Sequence, residues 1–366
     1  MRPLPVRTGR ADRQEGQYAP HGHRDGLVRV LRLRRARTPR SRRPRVISAG
    51  RAGQLSGQPS RPGRIRRRVS PPPSGRTPPL GRRSNPPMFA GDAILQLGRL
   101  LESPAADQVD GDFDLALGAL LIASTDDPNV DIDGIRANLD RMAEAATSRI
   151  PADADALQQL NAITDLLFNV IGLSGNRDDY YDPRNSYLNH VLERRLGIPI
   201  ILSLLCIEVG RRAGVPVLGI GMPGHFVIRH RDEPNFYVDA FNGGLLLSQD
   251  ECAALMRQAA GDSARLEAYH LDPVTPREVL ARILRNLKAI YWDREDFDRC
   301  ITTIGALMAV LPDRPEEQRD RGVVHLKAGN HRESADDFAA YIAAAPDADD
   351  LETVRNALAR LRSGQT

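Results

Sequence analysis

Residues 200–207 read IILSLLCI, and the stretch offers no strongly polar face before Glu208. Continued to residue 213 it is the length of a helix. A helix that is apolar on every side cannot lie on a surface, so other elements have to enclose it. The next segments can do this. Residues 215–221, 224–230 and 235–240 are three short runs of strand composition with turn residues between them. A buried central helix on a small antiparallel sheet is an α+β arrangement.

Helical periodicity dominates on both sides of this unit. Upstream, Leu115, Leu117, Leu120 and Leu121 recur at helical spacing, then Ile135, Leu139 and Met142, then Leu157, Leu160, Ile163, Leu166 and Leu167. Asp131 or Asp133 is placed to cap the second of these helices. The same acids imitate a calcium loop from Asn129 to Asp140. Such a loop needs a bidentate Glu at its end and an apolar residue at its eighth place, and Asp140 and Arg136 stand there instead. We read the acids as helix-capping. The polar run SGNRDDYYDPRNS (174–186) is a loop, and Asn185 or Ser186 is expected to cap a helix reaching Leu196.

Downstream the chain repeats itself. Phe297 and His331, Cys300 and Ser334, Ile304 and Phe338, Leu307 and Tyr341, and Pro312 and Pro346 each stand 34 residues apart. A 34-residue helix–turn–helix period closed by proline is the tetratricopeptide signature. Two and a half units are visible, with residues 351–361 as a capping helix. One repeat cannot bury its own apolar face, so the array should stack on itself and on the preceding domain. The expected organisation is an arm (1–87), an N-terminal helical region (88–174), the α+β core (175–270) and helical repeats (275–364).

The charge balance separates the arm from the rest. Residues 1–87 carry 23 Arg, no Lys and 3 acidic residues, whereas the remainder carries 28 basic against 44 acidic residues. An Arg/Pro/Gly/Ser-rich stretch cannot bury enough apolar surface to offset chain entropy, so the arm is expected to be disordered. It could bind phosphate backbones or anionic lipid, or act as a transit peptide. Our preferred reading is an upstream extension, with Met88 as the native start. Nucleic-acid binding stands only if the arm is native. No apolar run reaches the ~20 residues of a membrane span. Cys206, Cys252 and Cys300 lack CxxC spacing, which fits a reducing cytoplasm and argues against disulfides or structural zinc.

Two residues in the strand runs carry chemistry. His225, in PGHF, and Asp239, in YVDAF, lie fourteen residues apart. They form the orienting half of a cysteine-hydrolase triad, in which an imidazole takes the proton and a carboxylate fixes its tautomer. A buried, purely structural pair would use the same two residues. His225 and His230 have no acidic third ligand between them, so no metal is expected, and no cofactor motif is present. Gly243-Gly244 reads as a turn, because no phosphate-loop context follows. Asn185, Tyr187, Asn189 and residues 178–182 are placed to line the same cleft, or else serve as caps and turns.

The run NSYLNHVLERRLGIPIILSLLCIEVGRRAGVPVLGIGMPGHFVIRH, followed by FYVDAFNGG and later by RNLKAIY and RDRG, resembles the bacterial SirB-type transglutaminase-like/tetratricopeptide family. The likeness spans roughly residues 112–362. It implies a papain/transglutaminase-like core with C-terminal repeats, and it implies little about a reaction. In the wider superfamily the nucleophilic Cys opens the central helix, whose N-terminus lowers the thiol pKa. Counting back from Gly214-Val215-Pro216 puts that position near Ile200 or Ile201. Similar family members have GIPIS there, where this chain has Ile201. An isoleucine can neither attack a carbonyl nor be activated by a base. Ser203 and Cys206 are the candidate substitutes, although a helical Ser readily packs or bonds back to a carbonyl and a Cys in an apolar helix is usually inert. Cys252 and Cys300 are not credible nucleophiles. The leading expectation is therefore a non-enzymatic, cytoplasmic regulatory or interaction protein whose repeats bind a protein or peptide. The alternative is a cysteine- or serine-dependent acyl-transfer enzyme using His225 and Asp239.

Overall fold

Short polar side chains start most of the helices. The computed structural model describes residues 87–261 and 263–364; the expectations about the arm lie outside the described residues. α1 (Ala90–Leu100) precedes α2 (Leu115–Ser124), where Asp114 accepts from the Leu117 amide. Asp131 likewise caps α3 (Ile132–Thr147) by accepting from Gly134, so the calcium-like acids do begin a helix. Asp155 and Gln158 form a reciprocal capping box on α4 (Ala156–Thr164), which runs on into a π-helical turn, Asp165–Val170.

The loop that follows departs from the expected helix over 186–196. β1 (Ser174–Gly175) leads to a 3₁₀ turn, Pro183–Ser186, and then to a short α5 (Leu188–Arg194) entered at Tyr187. Asn185 cannot cap α5 because its side chain is fully occupied elsewhere. It donates to the carbonyls of Asp179 (2.7 Å) and Tyr180 (3.2 Å) and accepts from Asn176 (3.0 Å), deep inside the loop. Arg195, at φ 59°, ends α5, and β2 (Leu196–Gly197) then pairs with β1 in parallel.

Gly197 delivers the chain into α6 (Pro199–Ala213), the central helix. Its residues 199–206 are all buried. Glu208, also fully buried, is satisfied by the Leu115 amide (3.0 Å) and by Arg211 and Arg212. A buried carboxylate persists only with such partners. Gly214, at φ 76°, stops the helix in the left-handed conformation that suits glycine. Gly210 lets the sheet approach, since a Cβ there would sit 2.6 Å from the Val217 methyl.

The sheet is an antiparallel meander of β3 (Val217–Ile220), β4 (Val227–His230), β5 (Tyr237–Asp239) and β6 (Leu245–Leu247), in that order. The three expected strand runs are there, trimmed at their ends, and β6 is a fourth that the sequence reading missed. Phe226, Ile228 and Val238 join the main core with α6. Ile220, Val227, Tyr237 and Leu247 join a second, smaller core closed by Cys252 and Met222. Cys252 comes from α7 (Gln249–Ala260), which Ser248 and Glu251 cap reciprocally.

Two helical hairpins and a final helix complete the fold: α8 (Pro276–Asp293) with α9 (Phe297–Val310), α10 (Pro315–Ala328) with α11 (His331–Ala344), and α12 (Leu351–Arg362). The 34-residue period extends to individual hydrogen bonds. The Ser334 hydroxyl donates to the Gly322 carbonyl at 2.8 Å, and one repeat earlier the Cys300 thiol meets the Lys288 carbonyl at 3.7 Å. Gly322 has no side chain because a Cβ would lie 2.8 Å from the Phe338 ring, so the hairpin closes there. The repeats and the α+β part share one core running from Leu97 to Leu358. No described helix is long and apolar enough to cross a membrane.

Candidate functional site

The turn Pro223-Gly224 (Gly224 φ 70°) throws His225 toward the end of β5, where Asp239 is the last strand residue. The His225 Nε2 and Asp239 Oδ2 are 2.9 Å apart. Asp239 is fully buried and its carboxylate is saturated. Oδ2 also accepts from Asn242 Nδ2 (2.6 Å), and Oδ1 accepts from the amides of Phe241 (3.0 Å) and Asn242 (3.2 Å). Burial pushes this acid up, but the bonds from His225 and Asn242 outweigh it and hold the carboxyl below its usual range. An ionised carboxylate only accepts, so Nε2 carries the imidazole proton. Nδ1 makes no hydrogen bond among the described residues and is the nitrogen left for a ligand.

The rim around the imidazole is aromatic and basic. Phe241 sets its ring edge-on to His225, with centroids 6.4 Å apart, and Tyr180 packs against Phe241 at 5.8 Å. Tyr181 packs on Tyr180 and stands 55% exposed, so the rim opens to solvent. Arg177 lies over the Phe241 ring at 5.4 Å and donates to Asn242 Oδ1. The polar loop does therefore reach this site, through Arg177, Tyr180 and Tyr181. Asn185 and Tyr187 do not line it. Asn185 braces the loop from inside, and the Tyr187 hydroxyl meets Tyr291 of α8 at 2.8 Å in the core. Asp182 is buried between Arg184 and Arg194. Sequence reasoning missed Arg177, Phe241 and Asn242. The only signal was their closeness to motif residues.

The first turn of α6 holds Ile200 and Ile201, both buried, behind an N-cap (Ile198) that offers no side-chain bond. Ser203 is fully buried and its hydroxyl has no hydrogen-bond partner, so it is not paired with His225. Cys206 is fully buried and burial pushes its thiol far up. Cys252 is raised to about 12, first by burial and then by the Asp239 and Glu251 carboxylates. Cys300 is raised to about 12, mainly by burial. At neutral pH a thiol titrating near 12 is thiolate to only roughly one part in 10⁵, and the thiolate is the nucleophile. His230 stands apart from the pair: Nδ1 accepts from the Asp232 amide (3.1 Å), Nε2 faces Gln159 (3.3 Å), and burial holds its pKa low.

This architecture has relatives. The pattern of the transglutaminase-like superfamily matches residues 133–285, and that of the tetratricopeptide repeat matches residues 287–359. A UPF0162 protein of Xylella fastidiosa is 37% identical over 252 residues, which is 66% of this chain and 88% of that protein. One from Vibrio cholerae is 30% identical over 257 residues, covering 68% of this chain and 95% of its own length. The mouse F-box only protein 21 is 33% identical over 170 residues, 43% of this chain and 26% of that protein. With a transglutaminase-like core, tetratricopeptide helices and near full-length similarity to these bacterial proteins, the chain belongs to the UPF0162 family.

Proposed function

We propose that this protein is a regulatory or interaction protein of the cytoplasm, in which a transglutaminase-like core has lost its nucleophile and the repeats take a protein or peptide partner. The observation that carries this reading is Ile201, buried in the opening turn of the central helix, where the superfamily resemblance implies a nucleophile. No thiol compensates, because all three cysteines are buried and raised rather than activated. The SirB-type resemblance adds a bacterial regulatory setting. The match to a quarter of F-box only protein 21 supports reading the shared stretch as a module that is combined with other parts.

Alkylation by chloroacetamide near neutral pH tests the reading. We expect Cys206, Cys252 and Cys300 to react equally slowly in the folded chain, and His225→Ala to change none of the rates. Selective labelling of Cys206 that depends on His225 would establish an enzyme instead.

The intact His225–Asp239 pair, with Nδ1 free, favours a second reading: acyl transfer in which Ser203 or Cys206 moves into reach. It requires covalent trapping of one of these two residues by an acyl fluorophosphonate or acyl chloromethyl ketone probe, followed by peptide mapping. A wholly unlabelled chain counts against it.

A further inference from the structure

The loop that carries His225 is fastened from outside the sheet. Arg282, in the second turn of α8, donates from Nη2 to the carbonyls of Met222 (2.8 Å) and of His225 itself (2.7 Å). Its guanidinium also lies 5.5 Å over the Phe226 ring. The turn's own backbone adds one longer bond, from the His225 amide to the Met222 carbonyl at 3.3 Å. Bonds from a charged donor are roughly twice as strong as neutral ones. Arg282 therefore holds the backbone of this turn, as Asp239 holds its imidazole.

Six residues further along the same helix, about 9 Å at ~1.5 Å per residue, Lys288 reaches in another direction. It meets Glu317 (2.5 Å) and Asp320 (2.6 Å) of α10. Arg319 pairs with Asp320 (2.7 Å) and with Asp350 (2.6 Å), which lies just ahead of α12, and Tyr341 of α11 donates to Asp350 (2.6 Å). None of the charged side chains in this ladder is more than 14% exposed. Ion pairs so enclosed are screened little by salt and hold their geometry. The transglutaminase-like match ends at residue 285 and the tetratricopeptide match begins at 287, so one helix carries Arg282 in the first and Lys288 in the second.

We propose that α8 is a strut shared by site and repeats: Arg282 is a positioning residue for His225, and the Lys288 ladder makes that position depend on how the repeats are arranged. A partner seated on the repeats then changes the His225–Asp239 pair without touching it. This rests on the repeats being the partner-binding surface. The test below reads the chain alone, so coupling can fail while partner binding stands, and partner binding can fail while coupling stands.

The experiment is ¹⁵N NMR of the full-length chain with labelled histidine, read at the ring nitrogens of His225. The unaltered protein should show Nε2 protonated and its proton slow to exchange behind Asp239. Arg282→Met should abolish that slow Nε2–H signal, and Arg282→Lys should recover part of it. Lys288→Met touches nothing in the loop, yet it should weaken the same signal while His230, held by Gln159 and the Asp232 amide, keeps its shifts. If Arg282→Met does not fold, Arg282→Lys, which keeps the charge but loses the guanidinium plane over Phe226, is read in its place. A folded Arg282 variant with an unchanged His225 signal overturns the positioning role. A Lys288→Met protein with an unchanged signal overturns the dependence on the repeats.

Discussion

Asp239 makes four hydrogen bonds with two oxygens, and this saturation explains why the imidazole has one tautomer. Replacing it by Ala would strand the Asn242 and Phe241 amides and free the ring, at a cost of about 2–3 kcal/mol. Urea unfolding at pH 7 would measure this loss. The carboxyl is depressed in the fold, so its contribution is present above the ordinary Asp value of 3.8 and is lost as pH falls through the lower folded value. The difference between the unaltered protein and Asp239→Ala should therefore shrink as the pH falls below 3.8. Ile201 offers a complementary test. Ile201→Cys places a thiol where the wider superfamily resemblance implies the nucleophile, and we expect it to be alkylated at least tenfold faster than the three native cysteines. Adding His225→Ala should abolish the advantage. Equal rates in single and double variants would mean that the imbalance lies in geometry and not in the missing sulfur. The sequence showed His225 and Asp239 because motif residues sit in recognisable strings. It hid the Arg177–Phe241–Tyr180 rim because that arises from chain segments about sixty residues apart.

Among the elements, α6 was legible because an apolar helix has only one place to go. Its one buried charge, Glu208, also holds the start of α2, so Glu208→Ala should destabilise by about 1–3 kcal/mol by stranding the buried Leu115 amide, while Arg211 and Arg212 keep Asp112 and Asp140. Thermal unfolding followed by circular dichroism would show it. A cost below about 1 kcal/mol would mean that the carboxylate is incidental. β6 was not legible. Three consecutive leucines have no alternation, and strands of this length are set by their neighbours rather than by propensity. The misplaced start of α5 has a similar cause: Asn185 has the composition of a cap, but tertiary bonds inside the loop occupy its side chain.

For the whole molecule, the 34-residue period gave the repeats, but periodicity could not show that their first helix also belongs to the core. Leu280 packs against Gly118 of α2, and Tyr291 bonds to Tyr187, so α8 closes the α+β part. Deleting residues 277–366 should therefore yield an aggregating chain, read by size-exclusion chromatography, rather than a core that has simply lost its partners. A soluble, monomeric truncation would contradict the shared core. The ladder also sets a pH range. Burial alone would lower Lys288, but Asp320 and Glu317 hold it above the ordinary lysine value of 10.5, and Asp320 is held below 3.8 against its own burial. The Lys288 contribution is thus complete below 10.5 and fades as pH rises through its higher folded value. That of Asp320 is complete above 3.8 and fades on acidification.

Of all these, the most direct test is a turnover assay of the purified protein on activated esters, thioesters and glutamine or peptide amides, run beside His225→Ala. The orienting pair is intact but has nothing to activate, so both proteins should give the same background rate. A rate above background in the unaltered chain that disappears with His225 would contradict a core without a nucleophile.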